Sequence, residues 1–335
     1  MKHFYYKQAF ELENGGTLKE LTIAYSTYGT LNPERNNVIW ICHALTANSK
    51  VADWWRGMIG EGLTFDTSKY FIVCANILGS CYGTTGPLSI NPETGTPYYK
   101  DFPFITIRDM VKAHQLLAQH LAIEKIKLLV GGSMGGYQAL EWTITEPSFI
   151  DKLFLITTSA HESPWGIAIH TTQRLAIEAD STWGEPSEKA GSKGLKAARG
   201  IGMITYRSYK TYALTQKETD QNKLDNFNAS SYIEYQGSKL VNRFNAYSYW
   251  LLTKAMDSHN IARGRGESME KVLQTITQPT LVIGISSDIL CPVQELTYIS
   301  SNIPNSTYAE IDSVYGHDGF LVEVETISKY LKEWM

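Results

Sequence analysis

The chain has 335 residues, of which 43% are hydrophobic and 19% charged, and carries a formal net charge of −4. This composition supports a sizeable core and excludes a disordered chain; the slight acidity, without any basic run, excludes a nucleic-acid binder. No apolar stretch approaches the ~18 residues of a membrane span, the first residues lack the apolar centre of a signal peptide, and four scattered cysteines form neither a zinc motif nor a disulfide framework. A reduced, cytoplasmic enzyme with no metal, no membrane and no nucleic-acid partner is expected.

Along the chain, the alternation over residues 22–28 predicts antiparallel strands at one sheet edge. Compact apolar runs follow at 38–42, 71–77, 126–130, 153–158 and 281–285, each reading as a strand buried on both faces. Cys42 and Cys74 fall inside these runs and read as inert core thiols. Residues 108–121 and 137–145 carry helical spacing and sit between strands, which implies crossover units and a mostly parallel sheet. From 161 to 275 the strand pattern vanishes, and helices are expected at 167–178, 195–206 and 247–257. The expected organisation is therefore an α/β core of residues 1–160 and 276–335, interrupted by a helical lid at 161–275.

Gly131-Gly132-Ser133-Met134-Gly135 lies between the run at 126–130 and the helix at 137–145. This is G-x-S-x-G in the strand–turn–helix context of a nucleophile elbow. The sharp turn exposes Ser133 Oγ, and the Met134 amide then lies at a helix N-terminus, suited to an oxyanion. A serine hydroxyl needs a base, and the base needs an orienting acid. The elbow template orders these as Ser, then Asp or Glu, then His. Of the eight histidines, His317 alone sits late in the chain on a glycine-flanked loop, Gly316-His317-Asp318-Gly319. His3, His114, His120, His161, His170 and His259 fall in strands, helices or the lid and read as structural. Asp288, just past the run at 281–285, is the expected acid; Asp312 is the rival, too close in sequence to His317 for the template. The second oxyanion amide is expected from His43-Ala44-Leu45-Thr46-Ala47, where one donor is typically worth ~2.7–4 kcal/mol of barrier.

With these residues placed, the chain resembles the homoserine O-acetyltransferase family of α/β-hydrolase-fold acyltransferases. The resemblance rests on His43-Ala44-Leu45-Thr46, the stretch 76–103 with Thr85-Gly86-Pro87-Leu88-Ser89-Ile90-Asn91-Pro92, the run GGSMGGYQALEW at 131–142, and the turns at Asp288 and Gly316-His317-Asp318. It implies ping-pong transfer from acetyl-CoA, as co-substrate rather than bound cofactor, through Ser133 to the side-chain hydroxyl of L-homoserine. It further implies Leu45 and Met134 as oxyanion donors, Arg207 on the acceptor carboxylate, Asp318 on its ammonium, and a homodimer joined through the lids. Ser80, Tyr82, Tyr137 and Cys291 depart from the family pattern, and the lid is short. A succinyl donor, a serine acceptor, and a hydrolase (esterase or thioesterase) using the same triad stay open, as does a catalytically silent scaffold. Cys81, in a glycine-rich loop without a nearby histidine, reads as a structural or tunnel-lining thiol.

Overall fold

The computed structural model describes residues 1–335. Its centre is an eight-stranded sheet of β1 (Lys2–Tyr6), β2 (Leu21–Tyr28), β3 (Val38–Cys42), β4 (Phe71–Ala75), β5 (Ile126–Gly132), β6 (Leu153–Ile156), β7 (Thr280–Ile285) and β8 (Ser306–Ile311). The spatial order is β1-β2-β4-β3-β5-β6-β7-β8. The β1·β2 and β2·β4 pairings are antiparallel, and the remaining ones are parallel.

The period of two along each strand sorts its side chains to opposite faces. Val38, Trp40 and Cys42 enter one core of 55 buried residues, whereas Ile39 and Ile41 enter a second core of 20. Leu129 and the pair Leu128 and Val130 divide in the same way. Burial on both faces is what makes these strands read as continuous apolar runs.

Helix α1 (Ile107–His120) and helix α2 (Met134–Thr145) flank the sheet. Thr106 and Asp109 cap α1 reciprocally, each side chain on the other's backbone N–H. Asp109 also accepts the Glu13 N–H at 2.8 Å, which ties the N-terminal strands to this helix.

Between β6 and β7 the chain forms α3 (Pro164–Glu178), α4 (Ser192–Tyr206), α5 (Tyr209–Thr215), α6 (Asn228–Val241), α7 (Ala246–Asp257) and α8 (Met269–Gln274). Ser163 caps α3 with Pro164 behind it, and Ser208 and Asn245 cap α5 and α7. After β7 come α9 (Val293–Asn302) and the closing α10 (Val324–Trp334).

Three boundaries differ from the sequence expectation. The strand expected over 71–77 ends at Ala75, because Asn76 spends its side chain on the Ser49 N–H and the Tyr82 carbonyl. The strand expected over 153–158 ends at Ile156, because Thr157 takes a φ of 46°. The strand expected over 126–130 runs on to Gly132, since Gly131 and Gly132 pair with Leu155 and Ile156. Helix α6 has no counterpart in the expectation: it buries only Gly237 and Leu240, so its sequence carries little periodic signal.

No helix is long and apolar enough to cross a membrane.

Candidate active site

The strand order reverses between β3 and β5, since the chain goes from β3 outward to β4 and returns to β5 on the other side. Crevices open at such switch points, beyond the carboxyl ends of the strands. The loops that leave β3 and β5 there carry His43–Ala47 and Ser133.

Ser133 adopts φ 54° and ψ −131°, a conformation that costs an L residue of order 1–3 kcal/mol. The turn is held from both sides: the Ser133 N–H lies 3.1 Å from the carbonyls of Ile156 and Thr157, and its own carbonyl accepts from Gly136 N–H at 2.8 Å and Thr158 Oγ1 at 2.9 Å. A Cβ on Gly135 would lie 2.0 Å from the Cys42 carbonyl oxygen, so only glycine lets α2 rest against the end of β3.

Ser133 Oγ lies 2.9 Å from His317 Nε2, and His317 Nδ1 lies 2.7 Å from Asp288 Oδ2. The carboxylate only accepts, so the ring carries its proton on Nδ1 and presents Nε2 to the serine hydroxyl. All three are buried. Asp288 is fixed by its second oxygen, which accepts the N–H groups of Leu290 at 2.8 Å and Cys291 at 3.0 Å. Burial pushes the His317 ring down, but the charge and hydrogen bond of Asp288, with Asp318 and Glu162 adding, leave it raised above its ordinary value. Asp312 accepts from Ser286 Oγ at 2.9 Å, and the ring nitrogens of His317 pair with Asp288 and Ser133 instead.

The amides of Leu45 and Met134 donate to no acceptor within the protein. Leu45 lines, with Ser133, His317 and Asp318, a cavity of about 510 Å³. The α2 N-terminus adds its partial positive charge behind the Met134 amide.

Arg207 and Asp318 meet as an ion pair, Nε to Oδ2 at 2.8 Å. The turn between α4 and α5 reaches the His317 loop here. Gly316, at φ +63°, leaves room only for the backbone of Tyr206–Ser208, and Ser208 and Thr211 both donate to the Val314 carbonyl. Burial raises the Asp318 carboxyl above its ordinary value, although Arg207 and His317 both pull it down. Asp318 faces the cavity; Arg207 stands behind it.

Several lining residues have no motif to reveal them. Arg199 of α4 faces the cavity with its guanidinium 5.3 Å from the Tyr206 ring, and Lys239 and Arg243 line the same space. His170, read from sequence as structural, lies on the wall with Nδ1 2.9 Å from Asp257 Oδ1. Tyr137 is buried behind the elbow with its hydroxyl on Glu162 at 3.0 Å. Cys81 lies outside this cavity, in a neighbouring cleft, and burial pushes its thiol up to about 11. All four cysteines are free thiols. Asp288, Cys291 and His317 form a compact group with metal-ligating atoms, but the hydrogen bonds of Asp288 and His317 already occupy their ligating atoms.

Residues 37–324 match the family model described as the alpha/beta hydrolase fold. A homoserine O-acetyltransferase of Cyclobacterium marinum is 50% identical over 331 residues, covering 99% of this chain and 94% of its own. The crystal structure of homoserine O-acetyltransferase from Bacillus anthracis superposes with a TM-score of 0.91 at 27% identity, covering 99% of this chain and 96% of that one. An acetylester hydrolase from Corynebacterium glutamicum superposes with a TM-score of 0.88 at 25% identity, covering 99% and 95%.

Proposed function

This chain belongs to the homoserine O-acetyltransferase family of enzymes with the α/β-hydrolase fold, and on that premise we propose that it moves an acetyl group from acetyl-CoA through Ser133 to the side-chain hydroxyl of L-homoserine, a step of methionine biosynthesis. The observation that carries this reading is the unbroken line Ser133–His317–Asp288 on a cavity that also presents Asp318.

Ser133 Oγ attacks the thioester carbonyl while His317 Nε2 takes its proton. Asp288 stabilises the resulting imidazolium. The amides of Leu45 and Met134 hold the oxyanion until it collapses, and His317 returns the proton to the departing CoA sulfur. The acetyl-serine is then attacked by the homoserine hydroxyl, whose proton passes to His317 Nε2. Collapse of the second oxyanion frees O-acetylhomoserine and returns that proton to Ser133 Oγ.

Transfer rather than hydrolysis requires the acceptor hydroxyl to be held ~3–3.5 Å from the acyl carbon. Homoserine offers its two charges as handles. Asp318 on the cavity wall suits the ammonium; the carboxylate meets the planar Arg207 guanidinium when acceptor binding parts the Arg207–Asp318 pair and draws Arg207 out from behind Asp318, one ion pair being exchanged for two. Lys239 and Arg243 supply positive charge for an anionic donor. The likeness to the acetylester hydrolase favours water as an alternative acceptor, but a plain esterase has no use for this charge pair beside its base.

Thiol release from acetyl-CoA tests the reading. Sustained release should require L-homoserine, and succinyl-CoA or serine should serve poorly. Arg207→Lys, which keeps the charge but loses the bidentate fork, should weaken homoserine use in kcat/KM by ~1–2 kcal/mol, while the first acylation stays near wild type. Equal release with and without homoserine would make the protein a thioesterase.

The compartment we infer is the cytoplasm, which the four free thiols suit. We also infer a homodimer through the lid, where Ile204, Tyr209, Leu214 and Leu224 expose large apolar side chains. A monomer in sedimentation velocity would refute the dimer.

A further inference from the structure

The reading of Leu45 as an oxyanion donor leaves a physical question, because Leu45 lies in a loop and no strand or helix fixes the direction of its N–H. The loop residue His43, whose side chain is fully buried, touches two backbone groups of fixed polarity. Its Nδ1 lies 2.8 Å from the Ala44 carbonyl oxygen, which only accepts, and its Nε2 lies 3.2 Å from the Ile77 N–H, which only donates. Both bonds form in one protonation state alone: a neutral ring with its proton on Nδ1.

We propose that His43 is a positioning residue for the oxyanion hole, pinning the Ala44 carbonyl so that the Leu45 N–H is aimed at the reacting oxygen. The link between Ala44 and Leu45 is trans, as is every peptide bond in the chain. In a planar trans peptide the C=O and the N–H point in opposite directions, so holding one aims the other. The Ala44 carbonyl also accepts the Ala47 N–H at 3.0 Å, which closes the turn around Leu45. Gln138 of α2 braces the loop from the side of the elbow. Its amide donates to the carbonyls of His43 at 3.2 Å and Met134 at 3.1 Å, and its own oxygen accepts from His114 Nε2 at 2.9 Å. Burial pushes the His43 ring down to about 4, against the pull of its bond to Ala44, which keeps it neutral and its Nε2 free to accept. His43 touches neither substrate nor Ser133 and acts through the peptide it holds.

This inference rests on the oxyanion reading above, and an alkylboronic acid separates the two. Boronates form a tetrahedral adduct on a nucleophilic serine, with one oxygen in the hole. His43→Ala should weaken boronate binding and slow acylation and deacylation in parallel by about 100-fold, approaching the 10²–10³ that loss of one hole donor costs. The KM for homoserine should stay near wild type. His43→Asn, whose amide N–H stands where Nδ1–H stood, should recover most of the loss; His43→Gln, whose amide falls near Nε2, should not. Because a variant of so buried a residue could fail to fold, the wild-type ring supplies an independent test: its ¹⁵N spectrum should show the Nδ1–H tautomer, unchanged across the neutral pH range. An Nε2–H tautomer, or a His43→Ala enzyme that binds boronate as tightly as wild type, overturns the role of His43 and leaves the hole in place. A wild-type enzyme indifferent to the boronate overturns both.

Discussion

His317 must be neutral to accept the Ser133 proton, so the direction of its shift sets a pH dependence. Burial alone would lower the ring, but Asp288 outweighs it and raises the ring above the ordinary 6.5. Activity therefore grows as pH rises through the His317 pKa, and the acid limb of kcat/KM should lie above 6.5. Asp288→Asn removes the charge that raises the ring. The acid limb should then move to lower pH while the plateau falls on the order of 10⁴-fold, as in serine triads generally. A pH–rate profile reads both changes together. A near-normal plateau with the limb unmoved would take the acid role away from Asp288. The meeting of these three residues was legible in the sequence because each is marked by its surroundings: Ser133 by glycines between a strand and a helix, His317 by a glycine-flanked late loop, Asp288 by the end of an apolar run. The ring of His43 was not, because its Nε2 partner Ile77 lies far away in the chain; nor was the guanidinium of Arg199, which comes onto the cavity wall only when α4 packs over the core.

At the scale of elements, the elbow works because α2 is pressed onto the end of β3, which brings the Met134 and Leu45 amides to the same crevice. Gly135 is the contact that permits this. Its Cβ position lies 2.0 Å from the Cys42 oxygen and 2.8 Å from the Cys42 carbon, both backbone atoms that cannot swing aside. Gly135→Ala should force α2 away from β3, with overpacking costing about 1–3 kcal/mol or more and a misplacement near 1 Å costing about 100-fold in kcat. Thermal unfolding and kcat measured on the same preparation check this; an alanine variant with wild-type values of both would show that the helix seat is looser than the backbone contact implies. Elements buried on both faces, such as Val38–Cys42, announced themselves as apolar runs. Helix α6 did not, since its few buried positions leave a mostly polar sequence with serine and glycine inside it. The helical insertion between β6 and β7 was recognisable only by the loss of strand pattern.

For the whole molecule, a mostly parallel sheet provides the crevice and the insertion between β6 and β7 roofs it. The sheet brings Ser133, His317 and Asp288, the proposed nucleophile, base and acid, together from beyond the ends of β5, β8 and β7. The insertion adds Arg199, Lys239 and Arg243 to the cavity wall, and on the proposed reading it decides what reaches the triad and in which orientation. This division explains why the sequence spoke clearly about the reaction and less about the substrates: triad chemistry is local to short motifs, whereas the cavity is assembled from helices that meet only on folding. The central claim is a covalent acetyl-enzyme on Ser133 that waits for an amino-acid hydroxyl. Intact-protein mass spectrometry after rapid quench tests it most directly. Acetyl-CoA alone should leave a single acetyl group on the wild-type chain, peptide mapping should place it on Ser133, L-homoserine should remove it, and Ser133→Ala should neither form it nor turn over. An unmodified wild-type chain during turnover, or a Ser133→Ala enzyme that keeps its rate, would contradict the account.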